Sequence, residues 1–413
     1  MRRVAVTGMG MICALGNDVA ECWAALREGG SAIRRMELVD ASLLRFQNAA
    51  EVRRFDPAKH FPEDKLLQLD RFAQFALVAA REAMRDAGFG DALTGVSTGR
   101  LSPALAERTA IVTGSCVGGQ TSEDQQFVEL YQKKSGRIHP LTIPRIMANA
   151  GASHIAMEFG ITGPAFTIST ACSSANHAIG EAFCMVRDGR AGLAIAGGSE
   201  APFSLGILKA WEAMRVIAPD TCRPFSKDRQ GMILGEGAAM LVLEPLEAAK
   251  ARGARIHGEI AGFGMSSDAY HLTRPAAEGA ARAMRAAITD AHLVPEQVGY
   301  INAHGTGTPQ NDPAETDAIR SAFGKHAEKL AVSSTKSMHG HALGAAGALE
   351  AVATLSALRE GFLPPTANYT TPDPQCDLDV VPNQGRAVQV ECALSNSFAF
   401  GGLNAVLVFR AAR

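Results

Sequence analysis

Four short runs of the chain are apolar at nearly every position rather than at alternate positions. They read RVAVTGMG near the start, then RTAIVTGS, AGLAIAGGSE and GAAMLVLEP. A strand with one face in water alternates apolar and polar residues, whereas a strand covered on both faces is apolar throughout. These runs therefore predict a sheet that is covered by helices on both faces, which is a layered α/β fold.

The rest of the chain continues this alternation of strands and helices. In the first half, LDRFAQFALVAAREAMRDAG predicts an amphipathic helix whose apolar residues recur at helical spacing from Phe72 to Met84, with Gly88 as its stop. A strand, a sharp turn and a helix are predicted around Cys172. Helices are predicted near 278–292 and 342–360, and further strands are predicted in IHGEIAGFGMSS, VGYINAHG, LAVSST, ECALSNS and LNAVLVFR.

Charge and cysteine usage exclude several classes of protein. The net charge of −2 over 413 residues provides no general attraction to nucleic acid or to anionic membranes. The eight cysteines are scattered without a C-x-x-C pair, which argues against a zinc ribbon or a disulfide scaffold and favours a reducing cytoplasm. No segment offers the ~18 uninterrupted apolar residues of a transmembrane helix. We therefore expect a cytoplasmic protein without membrane insertion.

Four polar loops follow predicted strands, where α/β proteins place their ligand sites. The glycine-rich turn VTGMGMICALG is not one of them, since it departs from the G-x-G-x-x-G spacing of dinucleotide sites. An isolated cysteine is more often a packing residue than a nucleophile. The joint presence of a cysteine loop and histidine loops favours the nucleophile. The loops are TACSS with Cys172, NAHGTGTPQND with His304, SSTKSMHGHALGAAG with Lys336, His339 and His341, and NSFAFGG with Phe400.

Further motifs connect these loops to a known family. They are CRPFSKDRQGMILGEGAAMLVLEPLEAAKARGA, GFGMSSDAYHLTRP and PPTANYTTPDPQCDLDVVPN. Over essentially its full length the chain resembles a β-ketoacyl-acyl carrier protein synthase of the synthase II type, and KAWEAMRVIAPDTCRPFS locally resembles the nodulation protein E branch. The resemblance implies a thiolase-type fold of five layers, α-β-α-β-α, with two pseudo-duplicated halves. Residues 1–250 would carry the cysteine, and 251–413 the histidines and the phenylalanine loop.

The resemblance also implies a reaction that needs no cofactor and no metal. Cys172 would accept an acyl chain from a carrier protein, malonyl-carrier protein would lose carbon dioxide, and the resulting enolate would attack the acyl-enzyme. The product is a β-ketoacyl chain two carbons longer, in fatty-acid or in specialised polyketide or polyene synthesis. A helix N-terminus is expected to lower the pKa of the Cys172 thiol. Neutral His304 and His341 would each donate an N–H to the enolate oxygen.

Other residues take supporting roles by the same resemblance. Lys336 would organise the histidine pair, and Glu350 would hold Lys336 or a structural cation. His339 stands outside the motif and is expected to be a surface or rim histidine. Asp312 and Glu315 are expected to stabilise their loop locally.

The acyl channel is expected next to a gate residue. Phe400 resembles the family gatekeeper, and its backbone N–H, with that of Cys172, would form a second oxyanion hole. Ala399 stands where the family has glycine, so the gate is expected to be stiffer. Val117 is the expected floor of the acyl pocket, and Cys116 is expected to face the same pocket.

Partners follow from the same resemblance. Acyl carrier proteins are acidic, so a basic rim is expected, and the chain would form a homodimer or a heterodimer with a sibling chain. The candidate carrier-binding residues are Lys65, Arg71, Lys133, Lys134, Arg137, Lys209 and Arg215.

Two other functions remain open at this point. A thiolase acting on coenzyme A is disfavoured because thiolases use a second cysteine as base where this chain has two histidine loops. A non-catalytic or weakly active dimer partner, like a chain-length factor, is disfavoured because such partners lack the nucleophile, whereas Cys172 is present.

Overall fold

The computed structural model describes residues 2–89 and 100–412. The strands of its large sheet follow the predicted strands, and the run GAAMLVLEP coincides with its strand from end to end. The strands are β1 Val4–Cys13, β2 Arg34–Arg35, β3 Asn48–Ala49, β4 Thr109–Gly114, β5 Ala165–Ile168, β6 Leu193–Glu200, β7 Gly237–Pro245, β8 Gly258–Ser267, β9 Val298–Asn302, β10 Ala331–Ser333, β11 Phe362–Leu363, β12 Arg386–Ala387, β13 Cys392–Ala399 and β14 Leu403–Ala411. The two-residue strands β2, β3, β11 and β12 were not predicted.

The helices fill the intervals between the strands. The predicted amphipathic helix is α3, and its apolar residues from Phe72 to Met84 are buried as expected. The helices are α1 Val19–Glu28, α2 Glu63–Leu66, α3 Arg71–Asp86, α4 Pro103–Glu107, α5 Gln120–Phe127, α6 Thr142–Ile146, α7 Ala150–Phe159, α8 Ser174–Arg187, α9 Leu205–Met214, α10 Leu246–Ala251, α11 Ala277–Asp290, α12 Asn311–Phe323, α13 Lys336–His339 and α14 Ala346–Glu360.

The large sheet repeats one topology twice. Its strand order is β10-β9-β13-β14-β8-β1-β7-β6-β4-β5, and β1 joins the two halves by pairing with β8 over three residue pairs. From its outer edge inward, the first half has the order β5-β4-β6-β7-β1 and the second half has the order β10-β9-β13-β14-β8. If the five strands of each half are numbered along the chain, both halves have the order third, second, fourth, fifth, first. In each half the third, second and fourth strands are parallel and the remaining pairings are antiparallel. The two halves are therefore pseudo-duplicated.

Helices cover both faces of each half. Helices α3 and α7 pack on the outer face of the first half, where Ile111 and Ile195 point toward them. Helices α11 and α12 contribute to the cluster on the outer face of the second half. Helices α8 and α14 lie between the halves in one core that contains Val112 of the first half and Ala393 of the second. The order α-β-α-β-α is the predicted five-layer arrangement.

This topology brings several loops to one place. Strands β4, β5 and β6 are parallel, so their carboxyl ends lie at one edge, and β9, β10 and β13 do the same in the second half. The loop after β5 holds Cys172, the loops after β9 and β10 hold the histidines, and the turn after β13 holds Phe400. Among the described helices, none is both long and apolar enough to cross a membrane.

Candidate active site

Cys172 lies in a tight turn directly before a buried helix. The turn is a single 3₁₀ turn, Ala171–Ser173, and α8 begins at the next residue. Ala171 adopts a φ of +52°, a strained conformation for a residue with a Cβ. The hydroxyl of Ser174 stabilises the turn, since it donates to the Ala171 carbonyl at 2.6 Å and accepts from the Thr170 N–H at 2.9 Å. Only 7% of Cys172 is exposed.

The two predicted histidines lie beside this thiol. The rings of His304 and His341 meet edge to face with centroids 5.4 Å apart. The Cys172 sulfur and one nitrogen of each ring all lie within 4.8 Å of one another. Neither nitrogen of His341 has a hydrogen-bond partner among the described residues, and Nδ1 of His304 also lacks one. These ring nitrogens are therefore free to bind a substrate.

A carboxylate on α12 fixes the backbone at His304. Glu315 accepts hydrogen bonds from the N–H groups of His304 at 2.8 Å and Gly305 at 2.7 Å. Asp312, one turn earlier, accepts from the N–H of Phe225 at 2.7 Å and Gly307 at 3.1 Å. Both carboxylates stabilise the loop as predicted. They do so from helix α12 rather than from within the loop. The sequence did not predict this helix, because its polar residues hide the helical pattern.

A buried ion pair lies behind the histidines. The amine Nζ of Lys336 donates to Oε1 of Glu350 on α14, and neither side chain has any exposed surface. Burial raises the pKa of Glu350 to about 7, while the charge and the hydrogen bond of Lys336 oppose this rise. Of the two roles considered for Glu350, the geometry gives it the one of holding Lys336.

Both site histidines are neutral at neutral pH. Burial, followed by the positive charge of Lys336, lowers the pKa of His304 and of His341 well below the usual value. A neutral imidazole offers one N–H donor and one acceptor nitrogen. The pair can thus provide two N–H donors to an oxyanion, or one of them can accept a proton from the thiol.

The pKa of the Cys172 thiol differs from the prediction. Burial raises it to about 11, although the charge of Lys336 and the N–H groups of Phe400 and Cys172 itself act to lower it. The expected lowering at the helix start is therefore wrong in sign, because desolvation of the thiolate outweighs the dipole in a closed site. The thiol therefore needs a base that accepts its proton in order to react.

A cavity of about 620 Å³ opens onto the three residues. Phe400 and Ala399 line it beside Cys172, and the Phe400 ring stacks on Trp211 with centroids 6.1 Å apart. The Phe400 N–H points at the thiol sulfur, while the Phe400 ring packs on Trp211. The turn after β13 therefore borders the thiol and narrows the path from the cavity to Cys172. Sequence reasoning missed Trp211, whose motif carried no polar signal.

His339 is not a surface residue. It has no exposed surface, and its ring contacts the Gly340 carbonyl at 2.8 Å and the Thr335 hydroxyl at 3.0 Å. Burial lowers its pKa to about 3. The expectation of a rim histidine is wrong because both ring nitrogens have polar partners within its own turn, which makes burial possible.

The expected acyl-pocket residues do not line the cavity. Cys116 and Val117 follow β4, are half-buried, and do not line the 620 Å³ cavity. Their N–H groups donate to the buried carboxylate of Glu200 at 2.6 and 3.2 Å. Sequence reasoning missed Glu200, although a carboxylate at the carboxyl end of a buried strand was a usable signal.

The predicted basic residues separate into three groups. Arg215 lines the cavity and is exposed. Arg71 is instead bonded to the buried Glu236 at 2.7 Å and lies over the Phe75 ring, so its assignment as a carrier-binding residue is corrected to a structural one. The others lie away from the cavity lining; Lys65 contacts His154, Lys133 and Lys209 pair with glutamates, and Lys134 and Arg137 are exposed.

The cysteine and the two histidines are also a possible set of metal ligands. Thiolate and imidazole are the groups that zinc prefers. The positive charge that lowers both histidine pKa values, that of Lys336, also repels a metal cation. The arrangement is thus better suited to binding an oxyanion than a cation.

Comparisons with known proteins identify one family. Residues 1–249 match the family model described as beta-ketoacyl synthase, N-terminal domain, and residues 257–370 match the corresponding C-terminal domain. The chain is 48% identical to nodulation protein E of Rhizobium sp. (strain N33), with 99% of each chain covered. It is 44% identical to 3-oxoacyl-[acyl-carrier-protein] synthase 2 of Coxiella burnetii (strain RSA 493 / Nine Mile phase I), with 98% of each covered.

The fold has a close counterpart among solved structures. The structure described as the ishigamide ketosynthase/chain length factor superposes with a TM-score of 0.92 at 38% identity, and both chains are covered completely. This agreement confirms the predicted thiolase-type fold.

Proposed function

The chain belongs to the beta-ketoacyl synthase family, and from this premise we propose that Cys172, His304 and His341 carry out its chemistry. The protein is a β-ketoacyl-acyl carrier protein synthase, an acyltransferase that performs a decarboxylative Claisen condensation. The observation that carries the assignment of residues is the closeness of one thiol and two neutral imidazoles, within 4.8 Å, at the end of a cavity. A non-catalytic dimer partner is not favoured.

The first half-reaction moves an acyl chain to Cys172. The thiol sulfur attacks the thioester carbon, the carbon–sulfur bond of the carrier thioester breaks, and the thiol proton passes by way of a site histidine to the departing carrier thiolate. The N–H groups of Cys172 and Phe400 lie at the sulfur. They are placed to stabilise the negative oxygen of the tetrahedral intermediate.

The second half-reaction forms the new carbon–carbon bond. Malonyl-carrier protein loses carbon dioxide, and the electron pair of the broken bond moves into an enolate whose oxygen accepts the N–H groups of His304 and His341. The enolate carbon then attacks the acyl carbon, and the Cys172 sulfur departs as a thiolate, which takes up a proton from solvent to restore the thiol. The support is that both rings are neutral and have ring nitrogens without protein partners. Lys336 positions the pair, and burial together with the charge of Lys336 keeps both rings neutral.

Phe400 gates the acyl channel. Its stack on Trp211 defines one position of the ring, and movement away from Trp211 opens the space beside Cys172. Ala399, the last residue of β13, stands before it and limits the backbone conformations of the turn.

The acyl carrier protein docks at the mouth of the cavity. Arg215 caps the end of α9 there, is exposed, and has no ion-pair partner in the described part of the chain. It is therefore available for an acidic partner. Replacement of Arg215 by Glu should raise KM for the carrier substrate and leave kcat unchanged at saturation; an unchanged KM would count against this contact.

A second copy of the chain covers the free edge of the sheet. Strand β5 ends the sheet, and Phe166 on it is 40% exposed. Helix α7 packs against β5 and exposes Met157, and Ile143 on the neighbouring α6 is 62% exposed. An open edge beside an apolar surface favours strand pairing. Phe166→Lys should yield monomers in sedimentation, and an unchanged dimer would contradict this interface.

We also propose a cytoplasmic location for the protein. We propose a division into residues 1–250 and 251–413, and the repeated strand topology supports this division.

A condensation assay tests the proposal. Purified enzyme is given acyl-carrier and malonyl-carrier proteins, and products are identified by mass spectrometry. The wild type should form the β-ketoacyl chain two carbons longer, and Cys172→Ala should form none. Cys184→Ala removes a thiol on α8 away from the site and serves as the matched control. Equal product from both variants would overturn the assignment of the nucleophile.

A further inference from the structure

One buried carboxylate connects two loops of the active site. Glu200, the last residue of β6, has no exposed surface. Three of its donors belong to the turn at 115–117 in the first half of the chain, and the fourth lies three residues after His341 in the second half. The donors are the Ser115 hydroxyl at 3.0 Å and the N–H groups of Cys116 at 2.6 Å, Val117 at 3.2 Å and Gly344 at 3.0 Å.

The two loops meet so closely that the arrangement admits little adjustment. A Cβ added at Gly344 would lie 2.4 Å from the Cys116 nitrogen and 2.6 Å from Oε2 of Glu200. The preceding residue, Leu343, adopts a φ of +45°, which is strained for a residue with a branched side chain. Such a conformation persists only when its surroundings hold it, and the Gly344 N–H bond to Glu200 is one such contact.

The same junction touches the start of the nucleophile helix. A Cβ at Gly114, the end of β4, would lie 2.5 Å from the Ala175 nitrogen. A Cβ at Gly198 would lie 2.9 Å from the Ala175 Cβ and 3.0 Å from the Gly344 carbonyl oxygen. The charge of Glu200 also acts on the Cys172 thiol, whose pKa it raises. The carboxylate thus lies where the turn at 115–117, the loop after His341 and the helix of Cys172 converge.

We propose that Glu200 is a positioning residue that fixes the turn at 115–117 against the loop after His341 and thereby sets the acyl-chain length that Cys172 accepts. The proposal rests on the proposed function, because it requires that Cys172 carry the acyl chain. By the family resemblance, Val117 and Cys116 bound an acyl pocket that lies outside the 620 Å³ cavity, and three of the four hydrogen bonds of Glu200 hold their turn.

Substitution by glutamine isolates this role. Glu200→Gln keeps the volume of the side chain, but its amide group presents two N–H donors where the carboxylate presents an acceptor oxygen. In either orientation of the amide one acceptor is lost, so Cys116 and Gly344 lose their partner at Oε2 or Val117 loses its partner at Oε1. The chain-length boundary should then loosen while the helices around it remain packed.

The experiment compares two substrates on each variant. Acylation of Cys172 by hexadecanoyl-carrier and octanoyl-carrier proteins is followed by intact-protein mass spectrometry, and the ratio of the two kcat/KM values is taken. Glu200→Gln should change this ratio by about tenfold or more relative to the wild type, the scale at which pocket contacts discriminate between chains. Ser115→Ala removes one donor of the four and should change the ratio in the same direction by less.

A matched control separates positioning from stability. Glu82, like Glu200, is a carboxylate whose pKa burial raises to about 7. It accepts two backbone N–H groups, those of Met11 and Val19, on a different face of the molecule. Glu82→Gln should leave the chain-length ratio unchanged. Equal loss of both substrates in Glu200→Gln, or an unchanged ratio in both Glu200→Gln and Ser115→Ala, would overturn the proposal. Failure of the wild type to acylate Cys172 at all would instead contradict the proposed function.

Discussion

The amine of Lys336 and the carboxylate of Glu350 form an ion pair with no exposed surface on either side, directly behind the histidines of the site. The pair links the loop after β10 to helix α14, two elements that converge at the junction of the halves. Together with burial, the positive charge of Lys336 is also a reason why His304 and His341 stay neutral. Structure and chemistry therefore depend on the same contact.

Removing one member of this pair should be costly. Lys336→Met leaves Glu350 buried without a positive partner, and such a change costs about 3–5 kcal/mol of unfolding free energy. The double variant Lys336→Met/Glu350→Leu should regain most of that stability without regaining activity. Urea unfolding measures the unfolding free energy of the single and the double variant, and the condensation assay measures their activity. A loss below about 1 kcal/mol in the single variant, the range of an exposed pair, would contradict the described burial.

His304 should act on decarboxylation more than on acylation, because His341 remains to relay the thiol proton in acylation. His304→Ala removes one of two donors to the enolate oxygen, so the release of carbon dioxide from malonyl-carrier protein should fall about 10²–10³-fold. Acylation of Cys172 should fall far less. His154→Ala, a buried histidine on α7 that contacts Lys65, is the matched control and should leave both rates unchanged. Similar losses in both half-reactions would show that His304 is not specific to the enolate.

The pH dependence follows from the direction of the pKa shifts. The pKa values of His304 and His341 lie well below 6.5 in the folded protein, so both rings keep one N–H and no charge as pH falls from 8 to 6. The rate of malonyl decarboxylation should therefore stay flat over this interval and decline only at lower pH. A decline centred near 6.5, the ordinary histidine pKa, would mean that burial and Lys336 do not act as described.

The alkylation rate of Cys172 in the free enzyme, unlike the decarboxylation rate, should depend strongly on pH near neutrality. Because the pKa of its thiol is raised to about 11, alkylation by iodoacetamide should increase about tenfold for each pH unit between 7 and 9. A plateau below pH 9 would indicate a thiolate already formed in the resting enzyme.

The sequence predicted those parts of the fold and of the site whose pattern lies in neighbouring residues, and it did not predict those that depend on contacts between distant residues. Strand β7 matched its prediction from Gly237 to Pro245 because each position is covered on both faces and the run is apolar throughout. Helix α12 was missed because its buried polar residues, such as Asn311 and Glu315, hide its apolar face. The site residues Cys172, His304 and His341 came from motifs, and their closeness came only from the fold.

The errors share a physical origin in burial. His339 looked like a rim residue because nothing in the sequence shows that Thr335 and Gly340 satisfy its ring. The Cys172 pKa was expected to fall because a helix start is a local signal, whereas desolvation depends on the whole site. Arg71 was read as a surface charge because its partner Glu236 is distant in sequence.

The gate offers a smaller, measurable effect. An aromatic stack contributes about 0.5–1.5 kcal/mol beyond its buried area. If Phe400 leaves Trp211 to admit the acyl chain, Trp211→Ala should speed acylation of Cys172 by about tenfold at most. Met214→Ala alters the same helix and cavity lining without touching the stack, and should change the rate little. Slower acylation in Trp211→Ala would show that the stacked ring is the open form.

The central claim is that Cys172 holds the acyl chain during the reaction. The most direct test is peptide mapping by mass spectrometry of enzyme that has been incubated with acyl-carrier protein and quenched before malonyl-carrier protein is added. We expect one acyl group per chain, on the peptide that contains Cys172, and its loss once malonyl-carrier protein is supplied. An acyl group on any other of the eight cysteines, or no adduct in an enzyme that still condenses, would contradict the account.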